Sequence, residues 1–109
     1  MADVRIVLTT VGLHEKAEEL AVALVERRLA ACINILGPIR SIYRWKGKVE
    51  NEQEYMLLIK TTVKGAAEVA AAFVELHPFE LPERVELDVV GGGEEYLLWV
   101  AGQVAREDQ

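Results

Sequence analysis

Between Pro38 and Thr62 the chain alternates with a period of two: Ile39, Ser41, Tyr43 and Trp45 stand against Arg40, Ile42, Arg44 and Lys46, and a second run ends in Tyr55-Met56-Leu57-Leu58-Ile59. Aromatic and β-branched residues in that pattern favour strands, so two extended arms meeting at Lys46-Gly47-Lys48 predict a long hairpin. A three-residue turn centred on Gly47 sets Arg44 opposite Glu50 and Arg40 opposite Glu54, which lets the arms neutralise each other. Each arm of about ten residues, at roughly 3.4 Å apiece, is about as long as a hundred-residue domain is wide. Its own domain cannot wholly cover such a hairpin. The outer part, with Tyr43, Trp45 and Tyr55, is therefore the expected oligomer interface.

The rest of the chain supplies a layer for that hairpin to join. Val4, Ile6 and Leu8 alternate with Arg5, Val7 and Thr9 in a first strand with one clearly apolar face and one mixed face. Gly12 precedes a helix with Glu15 in its first turn and a stripe of Leu13, Ala17, Leu20 and Leu24. The run from Leu29 to Leu36 enters a second strand, and Gly37-Pro38 bends it into the first hairpin arm. Lys64 to His77 reads as a second helix with Ala66, Val69, Phe73 and Leu76 inward, stopped by Pro78. After the proline-rich HPFELPE comes a last strand with Val85, Leu87 and Val89 on one side. Gly91-Gly92-Gly93 then leads into a terminal helix bearing Tyr96, Trp99, Val100 and Gln103 on one side. The order predicts an α+β, ferredoxin-like βαββαβ arrangement with an extra C-terminal helix, as a single domain over residues 1–109.

Composition narrows the partners. With 12 Lys and Arg against 18 Asp and Glu, the formal charge of −6 disfavours nucleic acid and anionic membranes. The basic cluster Arg40, Arg44, Lys46 and Lys48 reads as pairing for Glu50, Glu52 and Glu54 rather than as a phosphate track. One cysteine, Cys32, excludes an intrachain disulfide. No signal-like or bilayer-spanning apolar run is present, so the expected location is the cytoplasm.

Catalysis needs a nucleophile, a base and an orienting group, and the one serine, Ser41, sits in no nucleophile motif. No enzyme is expected. The triple glycine lacks phosphate-loop spacing, and Glu94 and Glu95 follow it where a phosphate would need donors. What remains for metal chemistry is Cys32 and His77, the thiolate and imidazole ligands that copper and zinc favour, with Glu80 and Glu83 as oxygen donors. The plainer readings are a small buried Cys32 and a helix-capping His77.

Five blocks in order, LAACINI, SIYRWKGKVE, EYMLLIKTT, HPFELPE and GGGEEYLLWV, resemble the CutA family of divalent-cation tolerance proteins. The resemblance implies a homotrimer built through the long hairpin, a shape related to the P-II signalling proteins, no enzymatic activity, and binding of copper or another divalent cation in metal homeostasis. The alternative it implies is a P-II-like trimeric regulatory module taking a small ligand or partner protein in clefts between subunits. Copper binding in the family is attributed to a Cys at the end of the first strand and a His-His pair before the proline. In this sequence Thr9 and Leu76 stand at two of those places, and His77 at the third.

Overall fold

The computed structural model describes residues 3–105, with the elements β1 (Val4–Val11), α1 (His14–Glu26), β2 (Cys32–Trp45), β3 (Lys48–Thr62), α2 (Val63–Leu76), β4 (Val85–Asp88) and α3 (Glu94–Gln103). The strands form one antiparallel sheet in the order β2-β3-β1-β4. This is the expected ferredoxin-like α+β arrangement with an added C-terminal helix. Among the described residues no helix is long and apolar enough to cross a membrane.

α1 and α2 cover one face of the sheet, and the core lies between. Val7, Thr9 and Val11 of β1 and Leu57, Ile59 and Thr61 of β3 are fully buried there. The helices supply Ala17, Leu20, Ala21 and Leu24 from α1 and Ala66, Val69 and Phe73 from α2. Both faces of β1 are partly covered: the mixed face, which Val11 completes as a Val7-Thr9-Val11 row, lies under the helices, and Ile6 and Leu8 are half-buried on the other. One expectation is corrected. Leu13 is 61% exposed, since it caps α1 from an extended conformation outside the helical stripe. α2 begins as its sequence suggests, with the Thr62 hydroxyl accepting the Gly65 N–H at 3.0 Å.

β2 is one strand bent at Gly37-Pro38, as the sequence implies; its register against β3 shifts between Leu36 and Ile39, and the Gly37–Pro38 bond is cis. Gly37 has a φ of +154°, and a Cβ there would stand 2.6 Å from the Tyr55 ring, so only glycine fits.

The hairpin register differs by one residue from the expectation. Trp45 pairs with Lys48, and only Lys46 and Gly47 form the turn, with φ of +49° and +81°. That is the backbone of a two-residue primed turn, whose twist suits a hairpin better than the three-residue turn. Arg44 consequently faces Val49 and Arg40 faces Gln53. Because residues directly opposite share a face, Glu50, Glu52 and Glu54 lie together with Ser41, Tyr43 and Trp45, while Arg40 and Arg44 lie on the other side. The expected charge pairing is therefore absent. Arg40 instead donates to the Asn51 Oδ1 at 3.0 and 2.8 Å and to its carbonyl at 2.9 Å.

α3 contributes Val100 to the buried set, and Val104 follows it there, whereas Tyr96 and Trp99 are each 45% exposed. The two rings stack on each other at 5.6 Å, with the Lys60 ammonium 5.6 Å from the Tyr96 ring. Of the four residues expected on one side of α3, Val100 is the buried one.

Candidate functional site

Pro78 cannot continue α2, so His77 ends the helix in an extended conformation, and the loop of residues 77–84 leads from the helical layer to β4. His77 is 8% exposed, and its ring lies between Phe73 and Phe79 at centroid distances of 5.0 and 5.3 Å. The Phe79 N–H donates to Nδ1 at 3.1 Å, which leaves the ring hydrogen of a neutral imidazole on Nε2. That nitrogen lies 2.9 Å from the Thr9 hydroxyl. Burial lowers the His77 pKa below the ordinary histidine value; the Thr10 backbone and the charge of Glu54 oppose this less strongly. His77 is a neutral, doubly bonded latch between the loop and β1.

Beyond the latch, the loop and the acidic face of the hairpin enclose a cleft of about 770 Å³. Tyr43 and Trp45 form one wall, Phe79 and Leu81 the other, and Glu54 and Glu83 both open into it. Glu54 is 7% exposed, and among the described residues no hydrogen bond or ion pair reaches its carboxylate. Burial first, and then the charge of Glu54, push the Glu83 carboxyl above its usual range. Desolvation, aided by Glu52, Glu54 and Glu50, raises the Tyr43 phenol. The field in the cleft is negative.

The residues singled out in the sequence divide between three places. Glu80, Glu83, Tyr43 and Trp45 line the cleft, and His77 adjoins it through the loop. Cys32 is half-buried and paired with Lys60, on the opposite sheet face from Thr9, so it does not meet His77. Tyr55 is half-buried within its own chain, its ring edge-on to His14 at 5.3 Å. The sequence pattern groups Glu54 with the solvated acids. The signal that marks it out is its place opposite Ile39, next to the β2 bend, which draws it under the loop.

A copper or zinc site takes up to four donors. Around His77 the structure offers one imidazole with both nitrogens engaged and a neutral Thr9 hydroxyl. Among the described residues no three of His, Cys, Asp and Glu converge as a metal group. The residues present do not make a closed, high-affinity metal centre within one chain.

A family model described as the CutA1 divalent ion tolerance protein matches residues 5–103. The chain belongs to the CutA1 family. A Divalent-cation tolerance protein CutA of Thermus thermophilus is 46% identical over 95 residues, which is 87% of this chain and 92% of that protein. The human Protein CutA is 43% identical over 84 residues, 77% of this chain but 47% of its own length, so the chain spans about half of that relative. Among solved structures, the Thermus thermophilus divalent cation tolerance protein matches with a TM-score of 0.90 at 43% identity, covering 94% of this chain and 99% of its own. The PII-like protein CutA from Nostoc matches with a TM-score of 0.86 at 38% identity, covering 93% and 97%. The position that the resemblance gives to a cysteine, Thr9, and the histidine before the proline are the two groups that touch here.

Proposed function

We propose that this CutA1-family chain is a cytoplasmic, homotrimeric divalent-cation tolerance protein that binds copper or another divalent cation weakly and serves metal homeostasis without catalysis. The observation that carries this reading is the Thr9–His77 contact in a chain of this family. A cation reaching His77 displaces one of its two hydrogen bonds, with Glu80 and Glu83 on the same loop as oxygen donors, which accounts for weak binding. Cys32, on the other sheet face, serves Cu(I) separately. Trimer formation is supported by apolar groups that one chain leaves uncovered: Ile42 at 68%, Val85 at 46%, Leu87 at 44% and the rings of Tyr43 and Trp45.

Metal titration of the assembled protein tests this. His77→Ala is expected to abolish Cu(II) uptake and Cys32→Ser to affect mainly Cu(I). Because the imidazole must be neutral to bind, affinity is expected to fall as pH drops below about 6.5 only to the extent that protonation of His77 overcomes its burial. Unchanged Cu(II) stoichiometry in the His77 variant would refute the site.

The cleft favours a second reading, a P-II-like regulatory module that takes a small ligand. At about 770 Å³ it has the size of a small-molecule site and far exceeds a single ion.

A further inference from the structure

The outer hairpin is a two-stranded ribbon that its own chain leaves uncovered. The 15 residues of β3, at roughly 3.2 Å apiece, account for the 45 Å long axis of the molecule, against 27 and 22 Å across it. From Ile42 to Val49 every residue is exposed. The register sorts the charges of this ribbon by face. One face carries Arg40 and Arg44, with Ile42 between them at 68% exposure and Val49 opposite Arg44 at 64%. Asn51 and Gln53 complete that row, so its charge is purely positive. The other face carries Tyr43, Trp45, Glu50 and Glu52, with Lys48 beside the turn. Each face thus joins exposed apolar or aromatic surface to charge of mainly one sign, and the two faces are complementary to each other.

That complementarity decides how copies can meet. Two copies joined through the same face, as a two-fold axis requires, would set arginine on arginine or glutamate on glutamate. Joined through unlike faces, they set opposite charges around an apolar centre. A contact of that kind is heterologous, and it must close into a ring or run on as a filament.

We propose that copies of this chain join head to tail, the Arg40–Arg44 face of one hairpin stacked on the Glu50–Glu52 face of the next, with Ile42 and Val49 packed against the neighbour's Tyr43 and Trp45. This rests on the trimer reading above and names the surface that each copy offers. Arg40, fixed by its bonds to Asn51, reaches the neighbour as a held charge, whereas Arg44, 3.4 Å from the Gly47 carbonyl, has room to turn towards it. The cleft gains from this as well. Tyr43 and Trp45 line it from one chain, so a neighbour seated on them supplies its outer wall, and the cleft is complete only between copies.

The test uses two exposed positions, 44 and 52. Arg44→Glu and Glu52→Arg are each expected to weaken assembly about tenfold in a sedimentation dilution series, and the two changes in one chain are expected to recover most of the loss. A double variant as weak as the two single losses combined would overturn the charge pairing. For the geometry, Arg44→Cys and Glu52→Cys chains, both in a Cys32→Ser background, are co-expressed with different tags and treated with a bismaleimide spanning about 10 Å, the spacing of stacked sheets. Cross-links are expected between the two kinds of chain and not within assemblies of either alone. Links from 44 to 44 or from 52 to 52 would make the contact isologous and overturn the proposal. No links in an assembly that keeps a trimer mass would overturn it too, while leaving the trimer to other surfaces. A monomer mass for the parent chain would overturn the trimer reading along with it.

Discussion

Replacing His77 by alanine cuts the bond that ties the 77–84 loop to β1 and the bond that holds Phe79 within the loop, and empties the space between Phe73 and Phe79. The Phe79 N–H to Nδ1 bond at 3.1 Å and the Nε2 contact with Thr9 at 2.9 Å are each worth about 1 kcal/mol net. Loss of a ring packed at 5.0 and 5.3 Å against two aromatic neighbours adds about 1 kcal/mol more. The expected destabilisation is about 3 kcal/mol, read as a lower urea midpoint with unchanged m-value at fixed protein concentration, about pH 7.5, with chelator present. The effect must also depend on pH. Burial depresses the folded-state pKa of His77, so both states are neutral above about pH 6.5 and the group adds no pH dependence there. As pH falls from about 6.5 through the folded value, the unfolded chain binds a proton that the folded chain resists. Wild-type stability is then lost by up to about 1.4 kcal/mol per pH unit. The alanine variant lacks this term, so its deficit should shrink towards about pH 5. A loss under about 1 kcal/mol near neutral pH, or a deficit constant across that range, would refute the latch.

Other positions separate the remaining arguments. Gly37→Ala is expected to cost about 1–3 kcal/mol, from a φ of +154° and a Cβ forced to 2.6 Å from the Tyr55 ring, whereas Gly47→Ala, with open space around its Cβ, costs about 1 kcal/mol from φ alone. Equal thermal shifts in the two variants would discount the Gly37–Tyr55 contact. Thr9→Cys brings a thiol to the Nε2 edge of His77 and is expected to tighten Cu(I) or Zn(II) binding at least tenfold by calorimetric competition; no gain would mean the latch cannot open. Trp45→Asp is expected to reduce the trimer fraction in sedimentation more than Trp99→Asp, and identical profiles would remove the hairpin from the interface.

The parts of the fold written in long, strongly periodic segments were legible in the sequence. The α2 stripe of Ala66, Val69 and Phe73 is buried as its spacing demands, and the chain bends at Gly37-Pro38 where two conformationally special residues adjoin. Legibility ran out where a face is shared with something outside the segment. The alternation in β1 allows cover on both faces and does not say which one the helices take; they settle on Val7, Thr9 and Val11, because an apolar row of either parity can serve as core and only tertiary packing selects one. Trp99 and Tyr96 are the largest side chains of α3, but Val100 is its buried residue, since the helix meets the sheet along its small side. Of the site, the loop was visible as a proline-bounded break after a histidine. The Thr9–His77 contact joins residues 68 positions apart and no local pattern encodes it.

The cleft turns on a single residue of register. With a three-residue turn, Arg40 would sit across from Glu54 and Arg44 across from Glu50, and each acid would have its counter-ion on the neighbouring strand. The left-handed φ values at Lys46 and Gly47 close the hairpin one residue earlier, and in a strand of period two that moves every arginine to the other face. The acids then share their face with Ser41, Tyr43, Trp45 and, next to the turn, Lys48, and the loop beyond His77 covers the innermost of them. Moving the charges across the strand by a double exchange, Arg40→Ile with Ile39→Arg, would return a cation to Glu54 without altering composition. If the register is what leaves Glu54 without a counter-ion, that variant should fold at least as stably as the parent, read as the urea midpoint at fixed protein concentration. A lower midpoint would mean that Ile39 contributes more by packing beside the β2 bend than a cation contributes beside Glu54, and would detach the acidic face from the register of the hairpin.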